Sequence, residues 1–347
     1  MFTQVRPTVR HVVPKELGSR SLVKVVYVVL EPQYQSSLSA AARAINEENS
    51  QIAVELSGYL IEELRSEENY EAFKKDVSEA NIFIGSLIFI DELADKVEAA
   101  VKPIRDQLDA AVVFPSMPQV MRLNKMGKFS MAQLGQSKSV IGEFMKKRRQ
   151  KQGSGFEDAM LKLLRTLPKV LKYLPVEKAQ DARNFMLSFQ YWLGGSAENL
   201  ENFLLMLADQ YVLTDVDVDG APNDDPLAFE APVTYPDMGI WHPLAPEMFE
   251  DIREYLNWYD SRTDIPEISR NPLAPCVGIV LQRTHLVTGD EAHYVSIVQE
   301  LEYRGAKVIP VFAGGLDFSK PVDLYFYDPL KPSEAIVDSV VSLTGFA

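Results

Sequence analysis

The side chains that most often carry enzyme chemistry are few in this chain of 347 residues, which has four histidines and one cysteine. His285 lies just after a predicted strand, Val277–Gln282, and Arg283 stands between them. Open α/β sheets bind ligands beside the carboxyl ends of their strands, so we expect Arg283 and His285 to line a cleft. His293 follows in a predicted helix, which is a weak spacing for a metal site. The alternative interpretation is that His285 is a loop histidine, that His293 lies on a helix surface, and that the two share no ligand.

Motifs for nucleotide chemistry are absent from the sequence. Gly127 and Lys128 are followed by Phe129, where a P-loop needs Ser or Thr to hold Mg²⁺. Gly153 and Gly155 lack the third glycine of the dinucleotide-binding fingerprint. The single cysteine excludes a disulfide framework and a thiolate metal cage within one chain. We therefore predict no ATP hydrolysis by the P-loop route, and we assign no catalytic residue and no metal ligand.

Positive charge is concentrated in a basic segment, Arg122–Lys172, where 13 Lys or Arg face three Asp or Glu, a net charge of +10. Three interpretations stay open: a solvated face or loop, docking to an acidic partner or a carboxylate-bearing ligand, and contact with an anionic membrane surface. Nucleic acid is disfavoured because the whole chain carries −14 and no aromatic stacking platform is interleaved with these charges. The densest run is Lys146, Lys147, Arg148 and Arg149.

The first 115 residues alternate short β-branched runs with helical patterns. The run Leu22–Leu30 is apolar toward both faces, as in a central strand of a parallel sheet. Such an alternation predicts right-handed crossovers and a doubly wound α/β domain. Asp91 is predicted to cap the helix that runs on to Leu108. The other expected elements are strands Ile52–Ser57, Asn81–Ile90 and Ala111–Phe114, and helices Ser36–Glu48 and Glu67–Glu79.

The sequence after the first 115 residues predicts a helical segment and then the start of a second α/β domain. Gly305 is expected to end a helix in the left-handed conformation. The predicted elements are strands Val277–Gln282, Ala306–Phe312 and Val322–Tyr327, helices Gly289–Arg304 and Pro332–Ser339, and a last strand from Val340. The domain plan is an N-terminal arm over 1–22, a flavodoxin-like domain with a basic helical extension over 23–155, helices over 156–213, an acidic linker over 214–235, and an incomplete α/β domain over 236–347.

Five segments carry a resemblance to a known family. They are Val113–Ser139, Phe189–Leu200, Tyr235–Pro243, Arg283–Asp290 and Glu300–Phe312. The first three resemble the large H subunit of magnesium chelatase, and the last two are similar to the wider family that it shares with the cobaltochelatase large subunit. The resemblance runs from about residue 23 to the end, and it identifies the chain as an N-terminal fragment of a much longer polypeptide.

The resemblance implies a part in inserting Mg²⁺ into protoporphyrin IX on the way to chlorophyll. Protoporphyrin IX would be the substrate and Mg²⁺ the co-substrate, with ATP hydrolysed by AAA+ partners, the I and D subunits. A porphyrin-delivering regulatory protein is a further implied partner. Mg²⁺ gives up its waters reluctantly, so an energy-coupled site that excludes water is expected, most of it outside this fragment. The fragment alone is expected to be inactive, in the cytoplasm of a bacterial phototroph or in a plastid stroma.

Three functions remain open at this point. The leading one is porphyrin capture and partner docking within the complete subunit. The second is a non-catalytic interaction or regulatory module. The third, which the pattern of elements alone favours, is a two-lobed α/β enzyme that binds a sugar or a nucleotide. The expected contact residues are Arg283, His285, Lys146, Lys147, Arg148 and Arg149.

Overall fold

The computed structural model describes residues 10–30, 32–128, 176–213, 226–264, 271, 273–314 and 317–344. The chain divides into two compact units, residues 1–233 and 234–347, each with its own main sheet. In the described parts of the chain, no helix is both long and apolar enough to cross a membrane. Lys146, Lys147, Arg148 and Arg149 fall outside the described residues.

A six-stranded sheet forms the centre of the first unit. Its strands are β1 (His11–Val12), β2 (Ser21–Val29), β3 (Ile52–Leu60), β4 (Ile82–Ser86), β5 (Ala110–Val113) and β6 (Lys125–Met126). They lie in the order β1-β3-β2-β4-β5-β6, and the four middle strands are parallel. The short edge strands β1 and β6 are antiparallel to their neighbours.

Helices cover both faces of this sheet. They are α1 (Gln33–Glu48), α2 (Glu67–Ser78), α3 (Asp91–Val101), α4 (Pro118–Met121), α5 (Val176–Gly194) and α6 (Ala197–Leu207). In β2, Val25 and Tyr27 belong to the core that contains α1, whereas Val26 and Val28 belong to the core that contains α2 and α3. Because successive side chains of a strand point to opposite faces, this division confirms the doubly wound α/β fold.

Two details of α3 differ from the prediction. Ile90, not Asp91, occupies the N-cap position, and no side-chain capping hydrogen bond forms. Asp91 is instead the first helical residue, where the positive end of the helix dipole favours a carboxylate. The helix also ends at Val101 rather than at Leu108, and Pro103, two residues later, has no backbone N–H with which to continue the helical hydrogen bonds.

Aromatic side chains join α5 and α6 to one face of the sheet. Trp192 stacks on Phe114 with ring centroids 4.4 Å apart and on Tyr34 at 4.5 Å. The hydroxyl of Tyr34 donates a hydrogen bond to the backbone carbonyl of Trp192 at 3.2 Å. Phe203 of α6 lies edge-on to Trp192, at 6.4 Å. The described part of the helical segment therefore packs on the first sheet as part of its core.

The second unit has a four-stranded sheet and a small hairpin. Its strands are β7 (Met238–Ile240), β8 (Cys276–Gln282), β9 (Lys307–Ala313), β10 (Tyr327–Asp328), β11 (Lys331–Ala335) and β12 (Ser339–Ser342), and its helices are α7 (Ile252–Ser261), α8 (Arg283–Val287), α9 (Ala292–Tyr303) and α10 (Ser319–Tyr325). The sheet order is β12-β8-β9-β7, with β12, β8 and β9 parallel and β7 antiparallel. At the end of α9, Gly305 has a φ of 92°, which confirms the predicted left-handed cap.

Two predicted elements of the second unit are wrong. The aromatic run over 322–327 is mostly the helix α10, because Pro321 and Tyr325, four residues apart, are buried on one face. The predicted helix over 332–339 is instead the strand β11, which pairs with β10 in a hairpin. In the turn between them, Asp328 accepts a hydrogen bond from the backbone N–H of Leu330 at 2.8 Å, and this Asx turn reverses the chain.

Candidate functional site

The carboxyl ends of three parallel strands meet at one edge of the second sheet. β8 ends at Gln282, whose side-chain amide reaches the carbonyl of Thr344 beyond β12 at 3.5 Å. Tyr294 of α9 closes the same edge, because its hydroxyl accepts from the backbone N–H of Gln282 at 3.2 Å and donates to the carbonyl of Leu343 at 3.4 Å. The helix α8 begins directly after β8 and places Arg283 and His285 at this edge, as predicted from the sequence.

Arg283 ties the start of the second unit to the strand end. Its Nε donates to the carbonyl of Pro236 at 2.7 Å, and its Nη2 donates to the carbonyl of Tyr235 at 3.1 Å. Hydrogen bonds from a charged donor stabilise more than neutral ones, so these contacts fix the chain that leads into β7. The guanidinium of Arg283 therefore holds the backbone beside the site.

His285 forms a pair with a carboxylate. Its Nδ1 lies 3.0 Å from an oxygen of Asp290, so the Nδ1 hydrogen is donated to that carboxylate. The same tautomer leaves Nε2 of the neutral ring as a hydrogen-bond acceptor, and no described residue forms a hydrogen bond with it. The ring is about a quarter exposed. His285 can thus meet a ligand that approaches the edge.

Two aromatic rings surround this imidazole. His293 lies edge-on to His285 with ring centroids 5.0 Å apart, and Tyr294 lies edge-on at 5.5 Å. Burial, and then the nearby ring of His285, lower the pKa of His293 from its usual 6.5. Among the described residues, no group of three or more His, Cys, Asp or Glu side chains could hold a metal ion. The edge offers a hydrogen-bonding and proton-accepting imidazole.

A buried charged cluster, which the sequence did not indicate, lies elsewhere in the second unit. The guanidinium of Arg262 holds the carboxylate of Glu302, with Nη1 to Oε1 at 2.5 Å and Nη2 to Oε2 at 3.2 Å. It also binds Asp264, with Nη2 to Oδ2 at 2.6 Å. His242 completes the cluster through its Nε2, 3.2 Å from Oε1 of Glu302. Arg262 and Glu302 are almost fully buried, so each charge depends on the other.

Both ring nitrogens of His242 have polar neighbours. Nδ1 lies 3.2 Å from the backbone N–H of Leu244, and Nε2 lies 3.2 Å from Oε1 of Glu302 and 2.9 Å from Nη1 of Arg262. Burial lowers the pKa of His242 from its usual 6.5, and the hydrogen bond with Glu302 only partly opposes this. Burial also favours the neutral form of Glu302, but hydrogen bonds from His242 and Arg262 outweigh it and leave its pKa below the usual 4.5. At neutral pH the cluster holds a neutral imidazole beside an ion pair.

Sequence reasoning missed this cluster because its members are far apart in the chain. Arg262 lies 20 residues from His242, and Glu302 lies 60 residues from it. The one local signal was the presence of His242 in the segment Tyr235–Pro243, which carries the family resemblance. Burial raises the pKa of the Cys276 thiol to about 11, which disfavours the reactive thiolate at neutral pH.

Comparisons with known proteins assign the chain to a class. A family described as CobN/Magnesium Chelatase matches residues 189–347, and a domain of unknown function, DUF3479, matches residues 24–186. The chain is thus of the chelatase large-subunit class, an α/β chain without a nucleotide-binding motif. It is 56% identical over 353 aligned residues to the magnesium-chelatase subunit ChlH, chloroplastic, of Oryza sativa subsp. indica. The alignment covers all of this chain and 25% of that protein. The chain belongs to the magnesium chelatase H-subunit family.

Bacterial relatives and one solved structure extend the comparison. The magnesium-chelatase H subunit of Cereibacter sphaeroides is 33% identical over 277 residues, which is 80% of this chain and 21% of that protein. The catalytic subunit of cobaltochelatase from Mycobacterium tuberculosis overlaps 88% of this chain and 18% of its own, at 10% identity and a TM-score of 0.39. The chain spans about a quarter of the length of the relatives that it matches.

Proposed function

We propose that this chain serves as the N-terminal part of a magnesium chelatase H subunit, which inserts Mg²⁺ into protoporphyrin IX in chlorophyll biosynthesis. The observation that supports this most is the 56% identity to a magnesium-chelatase subunit along the whole chain. The chain's role is to help capture the porphyrin and to dock partner subunits. Protoporphyrin IX is the substrate, Mg²⁺ is the co-substrate, and the complete complex performs the insertion.

Partners and location follow from the same proposal. In this proposal the I and D subunits hydrolyse ATP, as the family resemblance implies, and the lack of a P-loop motif in this chain agrees with that division. A porphyrin-delivering regulatory protein is the third partner, and the basic segment supplies positive charge for an acidic partner face or for porphyrin propionates. The relatives include a chloroplastic protein and bacterial ones, which supports a plastid stroma or the cytoplasm of a bacterial phototroph.

His285 is the residue that we propose to contact the porphyrin. The chemistry suits a tetrapyrrole, because a neutral Nε2 accepts a hydrogen bond from a pyrrole N–H and a protonated ring donates one to a propionate. Asp290 holds the ring through Nδ1, at 3.0 Å, so the orientation of Nε2 is set before a ligand arrives. Arg283 acts as a positioning residue, since its guanidinium binds the carbonyls of Tyr235 and Pro236.

The test replaces His285 in a complete H subunit that contains this chain. We expect His285→Ala to weaken binding of a soluble porphyrin about tenfold, measured by fluorescence quenching, because one hydrogen bond to a charged group contributes about 1.5–3 kcal/mol. Tyr303→Ala is the control, since this ring is 77% exposed and lies at the other end of α9, and its affinity should stay within about twofold of wild type. Equal affinities for wild type and His285→Ala would remove His285 from the proposal.

The basic segment needs a separate test. Changing Lys146, Lys147, Arg148 and Arg149 together to Glu reverses four charges, and we expect a fall in insertion activity of the complete complex. Weaker porphyrin binding by the variant would assign the run to the propionates. Unchanged porphyrin affinity with weaker pull-down of the I and D subunits would assign it to docking. Wild-type activity and wild-type affinity together would exclude the run from both roles.

A further inference from the structure

The strand β12 forms one edge of the sheet in the second unit and is exposed along its whole length. It pairs in parallel with β8, and no described strand lies on its other side. Val340 is 52% exposed and Val341 is 36% exposed. Successive side chains of a strand point to opposite faces, so both faces of β12 are open to solvent. The neighbouring strand β8 differs, because its five inner residues, Val277–Leu281, are all buried.

The other sheet edges of the described chain end differently. They are formed by β1 and β6, of two residues each, and by β7, of three residues. All three strands are antiparallel to their neighbours, and each has at least one buried residue. Proteins usually protect a sheet edge with a very short strand, a charged side chain or a proline. β12 is longer than these strands, and its sequence Ser-Val-Val-Ser contains neither charge nor proline. Such an edge is typical of a strand that another segment covers.

The first sheet shows what covers a strand in this position. There β3 lies on one side of β2 and β4 on the other, and β5 pairs in parallel with the outer side of β4. In the second sheet β9 lies on one side of β8 and β12 on the other. The parallel strands are thus wound in the same order, and β12 corresponds to β4. All five residues of β4 are buried, with β5 beside it and α3 in the core on one of its faces.

The relatives have the length of chain that such a cover needs. This chain spans 25% of the chloroplastic ChlH protein and 21% of the Cereibacter sphaeroides H subunit. A parallel neighbour for β12 requires a crossover connection of about a dozen residues or more, which is most often a helix. In the first unit the connection from β4 to β5 contains the helix α3. The rest of a complete H subunit is long enough to supply a unit of this kind.

Right-handed crossovers also fix the face that the added helix covers. In the first unit α2 and α3 belong to one core, because both crossovers run in the same direction across the sheet. The helix that corresponds to α2 is α10, which leads from β9 to the β12 side. Phe326, directly after α10, lies against β8, since a Cβ built on Gly278 would be 2.6 Å from its ring. Val340 is in register with Gly278 and therefore points to this same face.

We propose that in a complete H subunit β12 is covered by a parallel strand and a helix from the part of that subunit outside these 347 residues, arranged as β5 and α3 are beside β4. The strand pairs with the outer side of β12, and the helix packs over Val340. This names the surface at which the domain over 236–347, expected from the sequence to be incomplete, is extended. The proposal rests on membership of the H-subunit family and not on porphyrin binding at His285, so either can fail without the other.

The first experiment measures hydrogen exchange of residues 339–342 by mass spectrometry, in the 347-residue chain and in a complete H subunit that contains it. A strand with one parallel neighbour directs alternate amides to that neighbour, so about two of the four amides should exchange freely in the shorter chain. A second neighbour bonds these amides, and we expect their exchange to slow at least about hundredfold in the complete subunit. Equal exchange in the two proteins would overturn the proposal.

Substitution of Val340 tests the added helix. Val340→Lys should leave the melting temperature of the 347-residue chain within about 2 °C of wild type, because the side chain is already exposed. In the complete subunit the same change places a charge beneath the helix, and the exchange protection of β12 should fall at least about tenfold.

Leu330→Lys is the matched control for this substitution. Its side chain lies in the turn between β10 and β11, is 84% exposed and belongs to no strand of the four-stranded sheet. Protection of β12 in the complete Leu330→Lys subunit should equal that of wild type. Wild-type protection of β12 in the complete Val340→Lys subunit would contradict a helix over Val340. The exchange comparison on the wild-type proteins needs no variant, so it decides the case even where a variant fails to fold.

A second copy of this chain is the other candidate cover for β12. Pairing of β12 with a twofold-related copy would be antiparallel and would depend on protein concentration. Protection of residues 339–342 in the 347-residue chain that rises between about 1 and 100 μM, together with a dimer in sedimentation, would therefore overturn the proposal. Free exchange of the shorter chain over this range, with full protection in a monomeric complete subunit, is the result that we expect.

Discussion

The two units bury very different groups where their helices meet their sheets. In the first unit, Trp192 stacks between Phe114 and Tyr34, and the contact is almost entirely apolar. In the second, the buried cluster joins Arg262 and Glu302. Apolar burial stabilises in proportion to area and with little geometric demand, whereas a buried ion pair stabilises only while both partners are present. The second unit therefore depends on single side chains and on pH in a way that the first does not.

The units also differ in how completely their sheets are covered. All five residues of β4 in the first unit are buried, as expected of a strand with helices on both faces. All four residues of β12 in the second unit are exposed, and Val340 is 52% exposed. Two strands with similar β-branched composition thus lie in opposite environments. Composition identifies a strand, and its neighbours in space determine its burial.

The largest effect is expected in the first unit. Trp192→Ala should lower the free energy of unfolding by about 3–5 kcal/mol, because it removes the ring from the centre of the stack and leaves a cavity. Hydrogen exchange read by mass spectrometry locates the loss, which should be confined to residues 1–233. Tyr303→Ala is the control, since this aromatic ring is 77% exposed and should contribute little. Equal loss of protection in both units would show that they unfold together and would break the comparison.

A somewhat smaller effect is expected from the buried cluster. Glu302→Gln should cost about 3 kcal/mol in the second unit, because the charge of Arg262 stays buried without its carboxylate. Glu300→Gln, two positions away on α9, breaks an exposed pair with Arg304 and should cost less than about 1 kcal/mol. Denaturant unfolding followed by the fluorescence of Trp241 and Trp258 measures both. Equal costs would mean that burial of the Arg262–Glu302 pair has no energetic consequence.

The smallest effect concerns pH. The pKa of His242 is held below 6.5 in the folded state, so the unfolded chain takes up its proton first as the pH falls. Stability of the second unit should therefore decrease below about pH 6.5 in wild type, and His242→Gln should remove part of that decrease. The depressed pKa of Glu302 acts in the same direction at lower pH. Parallel pH profiles for wild type and variant would exclude His242 as the source.

Local pattern predicted the first sheet well. The strand β2 is apolar at nearly every position, and this property identified it as a central parallel strand before its neighbours were known. The same reasoning failed at 322–327, where an aromatic run reads as a strand by composition. There the structure forms α10, because burying Pro321 and Tyr325 on one side requires helical spacing. Short apolar runs do not decide between the two geometries by themselves.

The candidate site was only partly accessible to such reasoning. The placement of His285 after β8 was sufficient to predict its position at the sheet edge. Its pairing with Asp290 depends on how α8 turns the chain back toward the start of α9.

The family matches show a similar limit of sequence reasoning. They meet between residues 186 and 189, within α5, whereas the compact units meet after Val233. The boundary between the two family matches and the boundary between the two compact units therefore lie at different places in the chain.

By itself, the sequence determined the alternation of strands and helices, the absence of nucleotide motifs and the membership of the magnesium chelatase H-subunit family. These properties depend on local periodicity and on residue identity, which need no folded chain to be read. Only the tertiary structure decided that His242, Arg262 and Glu302 share one buried cluster. This cluster depends on contacts across 20 to 60 residues, which folding creates and no short pattern encodes.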